Sequence, residues 1–85
     1  INMKLDKLRK EIEIIDKDLA LLIEKRLKIC QEIGEEKKKL NLPIFDANRE
    51  QILKEKNASY LDNKYQEAYL NILEKIFEES KKLQK

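Results

Sequence analysis

The sequence predicts an all-α protein whose longest helix needs a partner chain. Leu, Ile, Glu and Lys dominate its 85 residues, 42% of the residues are charged, and there is one Gly and one Pro. This composition favours helices over sheets, because Leu, Glu and Lys are good helix formers. A chain this short and this charged has little apolar surface for a core of its own, so oligomerisation is expected.

The first forty residues carry an apolar repeat with steps of three and four. Its members are Leu5, Leu8, Ile12, Ile15, Leu19, Leu22, Ile29, Ile33 and Leu40. This spacing predicts a helix at residues 4–40 with a coiled-coil-like seam. The helix is expected to end there because Asn41 continues a helix poorly and Pro43 restricts Leu42. The interior Gly34 costs about 1 kcal/mol, which a long packed helix absorbs.

This helix is longer than a compact chain of the same size is wide. At about 1.5 Å per residue, residues 4–40 span roughly 55 Å. A globule of 85 residues has a radius of gyration of about 12 Å. Much of the apolar seam would therefore stay in water unless a second chain covered it.

A second, short helix is predicted after a linker at residues 43–46. Asp46 is a good N-cap for this helix, because its carboxylate can accept a backbone N–H of the first turn. The helix is expected to reach about Lys56, and a break follows at residues 57–61.

A third helix of medium length is predicted at residues 63–83, with Asp62 as its cap. Its apolar stripe consists of Tyr65, Tyr69, Ile72 and Ile76, and Ala68, Leu73 and Phe77 lie beside it. Since the chain contains no internal repeat and no linker rich in Gly, Pro or Ser, residues 1–85 are expected to form a single domain.

Charge and composition disfavour several classes of function. The formal net charge is only +2, so neither nucleic acid nor a membrane is indicated as a partner. No apolar run approaches the roughly 18 residues of a membrane span. With no His and a single cysteine, Cys30, a metal site is disfavoured, and we expect no cofactor. One cysteine also fits a reducing, cytoplasmic location.

Several polar side chains occupy positions where the helix pattern favours apolar ones. Arg26 falls in the seam of the first helix, and Lys37 lies on the same face roughly 16 Å further along the axis. Ser80 and Gln84 extend an apolar stripe of the third helix. Arg49 lies in the first turn of the second helix, where the helix dipole disfavours a cation. Each residue has an ordinary explanation, so the hypothesis of a site depends on their occurring together.

Six segments of the chain together match the pattern of a known family. They are residues 8–12 (LRKEI), 15–16 (ID), 21–26 (LLIEKR), 33–37 (IGEEK), 43–50 (PIFDANRE) and 76–84 (IFEESKKLQ). In order and spacing they resemble the AroQ-class, all-helical chorismate mutases over essentially the whole chain. The resemblance implies an intertwined helical homodimer with active sites shared between the chains. It further implies rearrangement of chorismate to prephenate in phenylalanine and tyrosine biosynthesis.

The resemblance also implies roles for residues along the first and third helices. Lys37 and Gln84 would act as catalytic residues at the ether oxygen of chorismate, and Arg26 and Arg9 would bind its two carboxylates. Arg9 and Arg26 are seventeen residues apart in the sequence, which is about 25 Å along one helix. Because chorismate is much smaller than this distance, the two arginines can reach one ligand only from different chains.

Four further residues would complete the substrate-binding site. By the same resemblance, Asp46 and Glu50 would hold the ring hydroxyl through backbone and side chain respectively. Arg49 and Ser80 would complete the polar wall near the carboxylates.

Other functions remain open on the sequence alone. An isochorismate pyruvate lyase would use a similar cationic pocket on a similar substrate. A non-catalytic helical dimerisation or regulatory module would explain the seam, but not the polar residues in it. Because no second enzyme domain is visible in the sequence, a free-standing enzyme is the expected arrangement.

Overall fold

The computed structural model of the chain covers residues 2–85, and this range contains three helices and no strand. They are α1 (Met3–Lys39), α2 (Ala47–Ala58) and α3 (Asn63–Gln84). The prediction of an all-α chain with a long, a short and a medium helix is therefore confirmed.

An asparagine lies at each end of α1, Asn2 as the N-cap and Asn41 directly after the C-cap Leu40. The Oδ1 atom of Asn2 accepts the N–H of Leu5 at 2.9 Å. At the other end Asn41 adopts a positive φ of 56°, and the N–H of Leu42 donates to the carbonyl of Lys37 at 2.8 Å. This hydrogen-bonding pattern is a Schellman motif, in which asparagine is one of the few residues tolerated at the left-handed position. It turns the linker back towards the last turn of α1.

The predicted end of the second helix at Lys56 is two residues too early. Asn57 and Ala58 continue α2 because α3 holds them there. The Nδ2 atom of Asn57 donates to the hydroxyl of Tyr69 at 3.0 Å. The Nε2 atom of Gln66 donates to the carbonyl of Ala58 at 2.9 Å, which satisfies a group that the helix itself leaves free.

Two ion pairs join α2 to α3. Lys54 Nζ lies 2.8 Å from Glu74 Oε2, and Lys81 Nζ lies 3.0 Å from Glu50 Oε2. The hydrogen bond between Lys54 and Glu74 raises the pKa of the lysine and lowers the pKa of the carboxyl group. The short helix is thus tied to α3 at two points along its length.

The buried residues lie where the second half of α1 meets the C-terminal half of α3. They are Cys30, Gly34, Leu73, Phe77, Ser80 and Gln84. Only part of the predicted stripe of the third helix is used within the chain, since Tyr65 and Ile72 are exposed. The residues that continue the buried stripe towards the C-terminus are the polar pair Ser80 and Gln84.

The N-terminal part of α1, residues 3–22, projects from the rest of the molecule as an arm. Every residue of this α1 arm is exposed, including seam residues such as Ile15 at 60% and Leu22 at 62%. The radius of gyration is 16.5 Å, compared with about 12 Å for a compact globule of this length. The single chain therefore leaves the predicted seam uncovered.

The helix surfaces carry many charges, several of them paired within one helix. Lys28 with Glu24 and Lys39 with Glu36 are examples on α1. Such exposed pairs contribute little to stability, because solvent screens them. In the range 2–85, none of the helices combines the length and the apolar character that crossing a lipid bilayer requires.

Candidate active site

A cavity of about 330 Å³ lies between the second half of α1, the linker, the start of α2 and the end of α3. Of the eight residues predicted for the site, seven line it: Arg26, Lys37, Asp46, Arg49, Glu50, Ser80 and Gln84. The eighth, Arg9, lies exposed on the α1 arm. The fold therefore brings together in space residues that come from all three helices.

The cavity combines an apolar wall with a surplus of positive charge. The apolar part is formed by Ile29, Ile33, Ile44, Leu53 and Phe77. The charged side chains are four cations and two carboxylates: Arg26, Lys37, Arg49, Lys81, Asp46 and Glu50. This net positive charge beside apolar surface suits a small anion that also carries a hydrocarbon ring.

Arg26 is held in the cavity wall by one edge of its guanidinium group. Its Nη1 atom donates to Ser80 Oγ at 2.7 Å and approaches Cys30 Sγ at 3.5 Å. The guanidinium carbon lies 5.7 Å from the centre of the Phe77 ring. Ser80 donates its own proton to the carbonyl of Ile76 at 2.6 Å, so its oxygen is left to accept from Arg26. Nε and Nη2 have no partner among residues 2–85 and can bind a planar anion.

Lys37 projects from the last turns of α1 towards the linker. Its Nζ atom donates to the carbonyl of Ile44 at 2.7 Å, which leaves two of its three donors for other partners. Within residues 2–85 neither Lys37 nor Arg26 forms an ion pair. Both cations are therefore fixed in place and still available to an anionic ligand.

Gln84 is buried at the end of α3, where it packs against α1. Only 9% of the residue is exposed, and its Oε1 atom has no hydrogen-bond partner in the described part of the chain. Rotation of the amide by half a turn presents its NH₂ group at the same position. A buried polar atom without a partner costs stability, and Gln84 also lines the cavity.

Gly34 permits this close packing. A Cβ atom built on Gly34 would lie 2.7 Å from Gln84 Cα and 2.8 Å from the Gln84 carbonyl oxygen. Because both contacts are with backbone atoms, the end of α3 would have to move. The glycine is therefore needed for the approach of the two helices, although it lies in a helix interior.

Replacing Gly34 with Ala is expected to destabilise the protein by about 1–2 kcal/mol, because overpacking outweighs the better helix propensity of alanine. Urea unfolding at one fixed chain concentration measures this change. The control is Glu32→Ala, at an exposed position of the same helix. Equal or greater stability of Gly34→Ala would contradict the close approach of the two helices.

Asp46 and Glu50 organise the start of α2. The Oδ1 atom of Asp46 accepts the N–H of Arg49 at 2.9 Å, which confirms its predicted role as N-cap. Its backbone carbonyl accepts the N–H of Glu50 at 3.0 Å. One Glu50 oxygen pairs with Lys81, whose ammonium also lies 4.5 Å from the centre of the Phe45 ring. The other Glu50 oxygen is available to a ligand.

The sequence interpretation identified neither Lys81 as a residue of the cavity nor Gly34 as a position of close helix packing. Lys81 is not among the residues predicted for the site, although its spacing of four from Phe77 places it near the buried stripe of α3. Gly34 was considered only as a weak point of the helix, although a lone glycine in a long helix is itself a signal of close packing. The Ile44 carbonyl that binds Lys37 has no sequence signal, since it depends on the path of the linker.

Comparison with known families and proteins agrees with this geometry. The family described as chorismate mutase type II matches residues 8–85. A bifunctional chorismate mutase/prephenate dehydratase from Aquifex aeolicus is 45% identical over 53 residues, which are 62% of this chain and 15% of that protein. Another from Buchnera aphidicola is 40% identical over 79 residues, which are 91% of this chain and 20% of that protein. The chain thus spans a fifth or less of the length of these curated relatives.

A solved structure extends the similarity over the whole chain. A conserved hypothetical protein from Pyrococcus furiosus superposes with a TM-score of 0.85 at 40% identity, and the match covers 100% of both chains. The family match spans nearly the whole chain as well. We conclude that this chain belongs to the type II chorismate mutase family.

Proposed function

We propose that this chain is a chorismate mutase, which rearranges chorismate to prephenate in the biosynthesis of phenylalanine and tyrosine. The observation that carries the proposal is the cavity in which Arg26, Lys37 and Gln84 offer unsatisfied polar groups beside an apolar wall. Chorismate has two carboxylates, an ether oxygen and a ring hydroxyl, and this cavity has complementary groups for one carboxylate, the ether oxygen and the hydroxyl.

The two carboxylates of the substrate would bind to arginines. Arg26 presents its free guanidinium edge, which can grip a carboxylate through two parallel hydrogen bonds. Ser80 acts through Arg26, because its hydroxyl fixes the orientation of the guanidinium group at 2.7 Å. Arg49 lines the same cavity and adds positive charge. The second carboxylate would bind Arg9 of the other subunit.

Holding both carboxylates selects the reactive shape of the substrate. The rearrangement is intramolecular, since one carbon–oxygen bond breaks while one carbon–carbon bond forms. It requires a compact, chair-like conformer that is sparsely populated in free chorismate. Fixed cations at both ends favour that conformer, which transfers much of the entropic cost from the reaction to the binding step.

Lys37 and Gln84 would stabilise the transition state electrostatically. Negative charge builds on the ether oxygen as its bond to carbon stretches. An ammonium donor from Lys37 and an amide donor from Gln84 bind this charge more strongly in the transition state than in the ground state. The hydrogen bond from Lys37 to Ile44 and the burial of Gln84 orient both donors before the substrate arrives.

The ring hydroxyl would bind at the start of α2. The backbone N–H of Asp46 precedes the helix and has no partner within residues 2–85, so it can donate to the hydroxyl oxygen. The free oxygen of Glu50 can accept the hydroxyl proton, because Lys81 occupies only the other one. These two contacts would orient the ring within the cavity.

We further propose that the enzyme is an intertwined homodimer. The α1 arm leaves a continuous row of apolar residues exposed, for example Leu8 at 49% and Ile12 at 56%. Burying such a row contributes roughly 25 cal/mol per Å² of apolar surface. An antiparallel pairing of two α1 helices would cover both arms and carry Arg9 of each chain towards the cavity of the other.

The test is an assay of the purified protein with chorismate, followed by ultraviolet absorbance with identification of the product. We expect chorismate to be consumed and prephenate to form. The same assay with isochorismate is the comparison. If pyruvate is released from isochorismate while chorismate is not converted, the protein is a lyase instead of a mutase. A folded dimer that converts neither compound would contradict the enzymatic proposal and favour a regulatory module.

A further inference from the structure

Lys81 joins the cavity wall to two neighbouring elements. Its Nζ atom lies 3.0 Å from Glu50 Oε2 of α2 and 4.5 Å from the centre of the Phe45 ring in the linker. The Lys81 and Glu50 side chains are only 29% and 16% exposed. At this burial the ion pair is less screened by solvent than the pairs on the helix surfaces.

The role of the ion pair between Lys81 and Glu50 follows from the other charged side chains that line the cavity. Arg26, Lys37 and Arg49 also line the cavity, and among residues 2–85 none of them forms an ion pair. Without Lys81, Glu50 would be a half-buried carboxylate facing three unpaired cations. It would be attracted to them and would compete with an anionic ligand for the same groups.

We propose that Lys81 is a positioning residue, which retains Glu50 in an ion pair so that the cationic groups of the cavity stay free for a dicarboxylate. This inference rests on the proposed mutase function for its kinetic consequences, but not for the position of Glu50. Lys81 acts through Glu50 and is not itself the group that binds the substrate carboxylates.

The chain offers a matched control for a purely structural role. The pair between Lys54 and Glu74 also joins α2 to α3, at 2.8 Å, but neither residue lines the cavity. Lys81→Met and Lys54→Met each remove one lysine from an ion pair between the same two helices and keep a side chain of similar length. A difference between the two variants therefore reports on the cavity rather than on helix docking.

In steady-state kinetics we expect Lys81→Met to raise KM for chorismate about tenfold while kcat changes much less, because the released carboxylate competes in the ground state. Lys54→Met is expected to leave KM within about twofold of the wild type, since neither Lys54 nor Glu74 lines the cavity. Lys81→Arg is expected to restore most of the lost affinity. Equal KM values in Lys81→Met and Lys54→Met would overturn the proposal.

A double-mutant cycle separates action through Glu50 from direct contact with the substrate. In a Glu50→Gln background there is no carboxylate to release, so adding Lys81→Met is expected to change KM by less than about twofold. A lysine that contacts the substrate directly would cause the same fold-change in both backgrounds. That result would overturn the positioning role.

A measurement without substrate distinguishes failure of this inference from failure of the proposed function. The chain has three arginines, Arg9, Arg26 and Arg49, so their side-chain Nε–H signals can be assigned by ¹⁵N NMR. In Lys81→Met we expect the Arg26 or Arg49 signal to shift while that of Arg9 stays in place. No shift would overturn the positioning role even if the wild type converts chorismate. If the arginine signal shifts in a protein that does not turn over chorismate, the positioning role stands and only the proposed mutase function is overturned.

Discussion

Replacing Lys37 with Ala is expected to lower kcat for chorismate by at least about 10² to 10³-fold, the usual effect of losing one donor to a developing negative charge. Lys37 is the cavity cation whose ammonium is fixed by the linker, through its bond of 2.7 Å to the Ile44 carbonyl. Water that fills the space in the alanine variant is neither charged nor oriented. The ether oxygen would therefore lose stabilisation mainly in the transition state.

The measurement is the initial rate at saturating chorismate, compared with the neighbouring Lys38→Ala as the control. Lys38 is exposed and does not line the cavity, so its loss is expected to leave kcat unchanged. Lys37→Arg is expected to be poor as well, because the larger planar guanidinium places its donors elsewhere. Circular dichroism of each variant verifies that the helices remain. Near wild-type turnover in Lys37→Ala would remove the proposed role of the ammonium.

The features that the sequence predicts correctly are those encoded locally. The steps of three and four in the seam predict α1, and Asp46 and Asp62 act as caps because each accepts an N–H two or three residues away. On α3 the face that meets α1 is the row of Leu73 and Phe77 beside the predicted stripe, and Ser80 and Gln84 continue this row with the same periodicity. Helical spacing alone is sufficient for these predictions.

The features that the sequence does not predict depend on contacts between distant segments. Asn57 stays helical because Tyr69 accepts its amide, and Lys81 belongs to the cavity because Glu50 lies opposite it on another helix. No periodicity within one helix encodes these pairings. Tyr65 and Ile72 are exposed in the single chain. The sequence does not predict this either, because a partner chain decides whether that part of the stripe is covered.

A site shared between two chains predicts that two inactive variants restore activity when they are combined. Arg9 lies on the exposed α1 arm and does not line the cavity that contains Lys37. We expect Arg9→Ala alone to lower kcat/KM for chorismate by about 10²-fold or more, as for loss of one partner of a buried charge pair. Wild-type activity in this variant would remove the cross-subunit role.

The decisive experiment unfolds equal amounts of Arg9→Ala and Lys37→Ala and refolds them together. In the mixed dimer one site contains both changes, and the other contains the intact Lys37 of one chain and the intact Arg9 of its partner. Since about half of the dimers are mixed, roughly a quarter of wild-type activity is expected. Refolding Arg26→Ala with Lys37→Ala is the matched control, because both residues line the cavity of one chain and every site then keeps one lesion. Recovery in the first mixture but not in the second requires that Arg9 acts on the partner's cavity, whereas no recovery in either mixture contradicts the shared site.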